Sequence, residues 1–322
     1  MALKLKHYRV EAGLTQAKLA KAVGVSQPNY QRWESGAASI PDDKLKKLSD
    51  FLQVDTKTLL GRNSPIEAGF YDESVGEDRN YYGEVAVHFH GGGNSLLLSI
   101  SVGAFQRLHM DLQGNSAFVV VQSLANQTVI IRRQAVSDLY LSSEAYDDYG
   151  PEHGAYEGHT RLQLPDSRDW EIIEAIACGD DTALNEFAEE DVNRISGRIM
   201  ITDEEFEELV ADGLIKQEML NAEKVKRQHE TDLIFSMATQ LTYQLSTGQQ
   251  RSIELPDEQR LFETFSCFAE FGVPSEESLI YLPIDDWHRT AFINPNVLDY
   301  VVFPTHMFER GRIECTASVL GG

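Results

Sequence analysis

Residues 13–36 read Gly13-Leu14-Thr15-Gln16-Ala17-Lys18-Leu19-Ala20-Lys21-Ala22-Val23-Gly24-Val25-Ser26-Gln27-Pro28-Asn29-Tyr30-Gln31-Arg32-Trp33-Glu34-Ser35-Gly36. Thr15 is a side-chain cap for a helix that carries Leu19, Ala20 and Val23, and Gly24-Val25 supplies a tight turn. Ser26 caps a second helix over 27–34, where Pro28 is tolerated in the first turn, and Gly36 ends it. Working outward, Leu3, Leu5, Tyr8, Arg9 and Ala12 fall at helical spacing before Gly13. On the other side, Pro41 to Leu52 places Leu45, Leu48, Phe51 and Leu52 on one stripe, and Asp55 caps a short helix around Leu59 and Leu60. Residues 1–62 are therefore predicted to be an all-α domain of five helices.

Charge separates this domain from the rest of the 322-residue chain. Residues 1–62 hold eleven basic and six acidic side chains, a net of +5, whereas residues 63–322 hold 17 basic and 45 acidic, a net of −28. After Lys57 the only lysines are Lys216, Lys224 and Lys226. A small basic unit on a large acidic body points to a polyanion contact confined to the N-terminal domain. No apolar run approaches the roughly 18 residues of a membrane span, and the N-terminus lacks the apolar block of a signal peptide, so a cytoplasmic, nucleoid-associated protein is expected. Cys178, Cys267 and Cys315 are widely spaced and form no CxxC, which argues against a disulfide framework or a cysteine zinc site.

The first sixty residues resemble the Cro/CI-type helix-turn-helix family, the XRE family of bacterial and phage regulators, whose domain is lambda-repressor-like. The resemblance rests on Leu5-x-x-x-Arg9, Gly13-Leu14-Thr15-Gln16, Leu19-Ala20, Gly24-Val25-Ser26-Gln27, Tyr30, Trp33-Glu34-x-Gly36 and Leu45-x-x-Leu48. It implies that the third helix enters the major groove of double-stranded DNA while the second crosses the phosphate backbone. On that reading Gln16, Gln27, Asn29, Gln31 and Arg32 face DNA, Tyr30 and Trp33 point inward, and Arg9 and Glu34 close a structural salt bridge between helices one and three. Side-chain chemistry agrees: Gln and Asn can bond an adenine edge, Arg a guanine edge, and Lys18, Lys21 and Arg32 can contact phosphates. Pro28 departs from the family, which often carries a polar base-reading residue there.

Beyond the head, residues 63–83 combine Pro65, Gly69, Gly76 and Gly83 with Asp72-Glu73 and Glu77-Asp78, which predicts a flexible acidic linker. Residues 84–145 and 239–322 then share an order. The first has Val85–His90, a Gly91-Gly92-Gly93-Asn94 turn, Leu96–Ile100, Gln106-Arg107-Leu108, Ala117-Phe118-Val119 and Val129–Ile131. The second has Leu241–Leu245, a Ser246–Gln249 turn, Ser252–Leu255, Gln259-Arg260-Leu261, Ala291-Phe292-Ile293 and Tyr300–Phe303. Two small β-rich units of related fold are expected. Between them, 146–238 reads as an acidic loop (Tyr146–His159) followed by a helical insert with helices over Trp170–Cys178, Thr182–Phe187 and Asp203–Val210, the last with a capping box at Thr202–Glu205. The fold expected is thus multi-domain, a helix-turn-helix head on an α+β body.

Chemical motifs in the body are sparse. His88 and His90 share a strand face without further ligands at metal spacing, so no metal is assigned. Gly91-Gly92-Gly93 is a turn rather than a phosphate cradle, and the acidic strings Glu189-Glu190-Asp191 and Asp203-Glu204-Glu205 lack an EF-hand pattern. A self-cleaving repressor would cut a bond such as Ala68-Gly69, but Ser236 has no lysine downstream to activate it. No catalytic residue and no cofactor is assigned, and no enzyme activity is expected. The reading is a sequence-specific transcriptional regulator, a repressor-type homodimer on palindromic operators, whose body oligomerises or senses a small molecule or protein partner. The alternatives are an antitoxin or phage-defence regulator and an enzyme fused to a DNA-targeting domain.

Overall fold

Side-chain caps start two of the five helices of the head, as the sequence predicts. A computed structural model describes residues 4–144, 149–151, 156, 159, 161–255, 257–270, 278–282 and 291–321. Its first elements are α1 (Leu5–Glu11), α2 (Gln16–Val23), α3 (Gln27–Glu34), α4 (Asp42–Leu52) and α5 (Thr56–Leu59). Thr15 Oγ1 accepts the Lys18 N–H at 3.1 Å, and Asp55 accepts those of Lys57 and Thr58. Gly24, at φ +72°, turns the chain out of α2, a left-handed conformation that strains residues bearing a Cβ. Ser26 takes the N-cap position of α3 but makes no capping bond from its side chain. Leu5, Leu19, Val23, Tyr30, Trp33, Leu48 and Leu59 form one core, each such burial contributing about 1.5–3 kcal/mol. Phe51, expected on the inner stripe of α4, is instead 51% exposed.

The segment read as a flexible linker is fastened to the body. Arg168, only 3% exposed, donates from Nη1 to the carbonyls of Gly61 (3.0 Å) and Asn63 (2.8 Å), and Asp166 accepts the Ile66 N–H at 2.9 Å. Further on, Gly69 N–H donates to Arg79 O and Tyr81 N–H to Gly69 O, closing a loop around a short 3-10 turn at Glu73–Val75. Composition alone predicted free chain here, because the groups that hold it lie about a hundred residues later.

The body contains β1 (Tyr81–Phe89), β2 (Leu96–Ser101), α6 (Val102–Gln113), β3 (Phe118–Gln122), β4 (Gln127–Arg132) and β5 (Val136–Ser143). The helical insert follows with α7 (Ser167–Cys178), α8 (Asp181–Leu184), α9 (Glu189–Ile199), α10 (Asp203–Ala211) and α11 (Leu220–Thr239). Then come β6 (Gln240–Leu245), β7 (Gln250–Glu254), α12 (Glu258–Glu270), β8 (Ile280–Tyr281), β9 (Phe292–Ile293), β10 (Leu298–Pro304) and α13 (Thr305–Val319). Hydrogen bonding gives a three-stranded sheet β2-β1-β5, a five-stranded sheet β3-β4-β10-β6-β7 and the hairpin β8-β9, all antiparallel.

Both expected β-rich stretches are present with the same order of elements: hairpin, helix, hairpin, 3-10 turn and strand. They are not separate sheets, however. β4 of the first pairs with β10 of the second, and every residue of β10 is buried, so its backbone needs a strand on each edge. The alternation of strand side chains divides the interior in two. Val129, Ile131, Tyr300 and Val302 face a core shared with β1, β2 and α6, while Ile130, Val301 and Phe303 face a second core shared with α12, α13 and β8-β9. Where the two hairpin turns meet, Gly91 leaves no room for a side chain, since an added Cβ would stand 2.3 Å from Ser246 O.

The insert packs around Trp170, Ile172, Ile173, Ile195 and Ile234. Its acidic strings occupy the first turns of α9 and α10, and the Thr202–Glu205 capping box is formed. Within the loop over 146–159, only 149–151, Tyr156 and His159 are among the described residues, and His153 is outside them. No helix among the described residues is long and apolar enough to cross a membrane.

Candidate nucleic-acid interface

One buried polar chain sets the angle between helices of the head. Arg9 is fully buried in α1; its Nε donates to Glu34 Oε1 at 2.9 Å and its Nη1 to Leu14 O at 2.7 Å. Glu34, whose side chain is 4% exposed, accepts a second bond from Gln16 Nε2 at 2.7 Å. The chain therefore ties the end of α3 to α1 and to the first residue of α2. The salt bridge read from sequence is present, and Gln16, placed on the DNA-facing side by the resemblance, has its amide committed to Glu34.

Tyr30 and Trp33 turn into the core, so the rest of α3 is left outward. Lys18, Lys21, Gln27, Asn29, Gln31 and Arg32 are all exposed. Gln27 and Gln31 lie one turn apart on one line of α3, with Pro28 and Arg32 on the neighbouring line. Pro28 presents no donor to a base edge, which leaves its line to Arg32. This surface offers neutral amides that can bond adenine and cations that can bond guanine or phosphate. Sequence reading does not single out Lys46, Lys47 and Lys57, which are also exposed; the signal for them is the concentration of lysine in the head.

The first helix of the head is held by the body. Lys4 Nζ lies 2.7 Å from Glu171, Lys6 Nζ 2.5 Å from Glu314, and Arg312 Nη2 2.6 Å from Glu11. Val10 packs with Ile313 and Ala317 of α13 in a small apolar cluster distinct from the head's own core. Two of the head's lysines are thus neutralised by body carboxylates. Lys18, Lys21, Arg32, Lys46, Lys47 and Lys57 remain exposed on the head, with Arg62 exposed at its junction with the body. Nothing local in the sequence shows this contact, because its partners are some 170 to 310 residues apart.

A cleft of about 900 Å³ lies beside this contact, with His306, Glu174, Arg310 and Glu258 in its lining. Glu174 bonds His306 Nε2 at 3.1 Å and Arg310 Nη2 at 2.7 Å. Burial works to raise its pKa, but the His306 bond and the Arg310 charge outweigh that and hold the carboxyl below its ordinary value. Arg310 also reaches Glu258 at 2.9 Å. Its opposite charges are paired with one another, while Arg310 Nε is buried without a hydrogen-bond partner. Of the histidines weighed as ligands, His88 bonds Asp138 and Tyr156, and His90 bonds the Gln134 carbonyl.

A family model described as Helix-turn-helix matches residues 5–59. The N-terminal segment is thus an XRE-type, Cro/CI-like helix-turn-helix, and the match supports a DNA-binding regulator. No curated protein and no solved structure matches the chain.

Proposed function

We propose that the protein is a sequence-specific transcription regulator that binds palindromic operators as a homodimer, with the body serving assembly or sensing and not catalysis. The observation that carries this reading is the division of the head: the outward residues of α2 and α3 are exposed, while α1 is gripped by α13. Phosphate contacts from Lys18 and Lys21 position the head, and Gln27, Asn29, Gln31 and Arg32 read base edges. A body of net −28 disfavours indiscriminate binding, because any approach to DNA other than through the head meets repulsion.

The test is selection of a preferred site from random duplexes, followed by titration of variants on it. Gln27→Ala and Arg32→Ala are each expected to cost about 1–3 kcal/mol on that site and to relax one base position per half-site. Lys18→Ala is expected to weaken all sequences alike and reduce the salt slope by about 0.9. Failure to select any sequence, or an equal loss from Gln27→Ala on random DNA, rejects the assignment.

A further inference from the structure

The two β-rich halves of the body correspond strand by strand, which exposes a surface that one half uses and the other does not. His90 N–H donates to Ala135 O in the first half, and Ser246 N–H donates to Val297 O in the second. Each turn closes alike, Gly92 to Phe89 O and Gly248 to Leu245 O. The register also jumps at matching places, skipping Ser137 on β5 and Asp299 on β10. By this correspondence Ile130 and Ile131 of β4 answer to Phe292 and Ile293 of β9. Through the hairpin pairings, Phe118 and Val120 of β3 then answer to Leu279 and Tyr281 at β8.

Within the chain, β4 lies antiparallel on β10, placing Ile131 opposite Tyr300 and Ile130 opposite Val301. Ile130 is fully buried, and Phe118 stands edge-on to Phe268 at 5.1 Å, so the first half's hairpin sends apolar side chains into the second half's core. The counterparts on the second hairpin have no such cover: Leu279 is 56% exposed, Tyr281 42% and Phe292 57%. Correspondingly, among the described residues the outer edge of β5 carries no strand. Its Leu139 and Leu141 are only partly buried, where the equivalent Val301 and Phe303 of β10 are 1% and 0% exposed.

We propose that a second copy of this chain completes the pattern: β9 of one copy pairs antiparallel with the outer edge of β5 of the next, with Phe292 opposite Leu139 and Ile293 opposite Asp138. The occupant is a second copy because one chain carries both complementary halves of a junction that it already forms once internally. The contact is head-to-tail, so it either occurs twice and closes two chains into a ring of four half-bodies or continues through more copies. An uncovered strand edge beside apolar side chains is otherwise an aggregation liability. Asp138 and Tyr140 stand where the internal junction has Tyr300 and Val302, which makes this junction the more polar and more reversible of the two. The pairing rests on body topology alone; the proposed function adds only that it brings two heads together.

The experiment is the oligomeric state of the full chain by light scattering, with circular dichroism as the check on folding. The wild type is expected to assemble. Phe292→Lys, at an exposed position, is expected to abolish assembly at concentrations where the wild type is assembled. Oxidation of a mixture of Leu139→Cys chains with Phe292→Cys chains is expected to give a cross-linked pair that neither variant gives alone. A monomeric wild type overturns both this surface and the two-headed regulator. An oligomer that survives Phe292→Lys and fails to cross-link overturns the surface and leaves the regulator standing.

Discussion

Arg9 shows how one side chain holds the head together. Its guanidinium is wholly buried, with Glu34 as the counter-charge and Leu14 O as a second acceptor, while Nη2 finds no partner in the structure. Taking both charges out of water is costly, and removing one leaves the other buried and unpaired, a loss of about 3–5 kcal/mol. Arg9→Ala and Glu34→Ala are each expected to destabilise the head on that scale, and the double variant to lose much less than the sum. Denaturant titration of the four proteins gives the coupling; additive losses within error would exclude a cooperative pair. The pair is legible in the sequence only through the resemblance, since Arg9 and Glu34 match positions that Cro/CI-type helix-turn-helix domains usually pair. The Gln16 bond to Glu34 is not, because an amide at a helix start reads equally well as a base reader. A second residue-scale case is His306, which is fully buried. Asn126 Oδ1 accepts the His306 backbone N–H at 3.1 Å, which orients the amide and aims Nδ2 at His306 Nδ1, 2.7 Å away. The ring therefore accepts at Nδ1 and donates from Nε2 to Glu174, the neutral tautomer. Burial drives its pKa down, Glu174 and Glu171 pull upward, and Arg310 adds to the lowering. A lowered folded-state pKa means that the unfolded chain takes up the proton first, so stability is full above about pH 6.5 and falls below it, by at most about 1.4 kcal/mol per pH unit. Asn126→Asp places an acceptor at Nδ1, so this variant is expected to raise the imidazole pKa and remove the acid-side loss. NMR titration of His306 follows the effect, and a midpoint at or above 6.5 in the wild type contradicts the lowering by burial.

At the scale of elements, what could be read from the sequence was whatever short-range chemistry determines. The head's helices start where Thr15 and Asp55 cap them and turn at Gly24, each a signal contained within four residues. The two tight hairpins were legible for the same reason, as was the capping box at Thr202. Matching the repeats by sequence sets Ala291-Phe292-Ile293 against Ala117-Phe118-Val119, which is one strand out of step. The hydrogen bonds put Phe292 and Ile293 in correspondence with Ile130 and Ile131 instead. The difference has a physical origin: β8 is only two residues long, Ile280–Tyr281, too short to show alternation, so in the sequence the next apolar pair reads as the first strand of the hairpin. Likewise, no local pattern shows that β4 leaves its own half to pair with β10, since 169 residues separate Ile131 from Tyr300 and register is decided by which faces can be buried. The clamp of α13 on α1 is invisible for the same reason. It joins residues from opposite ends of the chain through charges that look, singly, like ordinary solvated ones.

In the proposed assembly of two copies, the clamp decides how the heads address DNA. If the body sets the assembly and α13 fixes each head upon it, the distance between recognition helices is a property of the folded protein. Half-sites must then match it, and rotation about the duplex repeats only every 10–10.5 base pairs. Inserting five base pairs between half-sites turns one of them to the far side, so the wild type is expected to lose most of its two-site affinity and to recover part of it at ten. Weakening the clamp has the opposite signature. Each ion pair at this surface contributes on the order of 0–1 kcal/mol. The apolar contact of Val10, 4% exposed between Ile313 and Ala317, is the stronger part, worth on the order of 1.5–3 kcal/mol. Val10→Asp combined with Lys6→Glu places acids against Glu314 and the apolar cluster, while leaving the head's own core and its DNA face untouched. This variant is expected to bind the optimal operator more weakly, because the freed heads lose their preset orientation, yet to tolerate the five-base-pair insertion far better than the wild type. Titrations on operators with zero, five and ten added base pairs measure both effects. A wild type indifferent to spacing, or a clamp variant as strict as the wild type, would show that α13 does not set the position of the head.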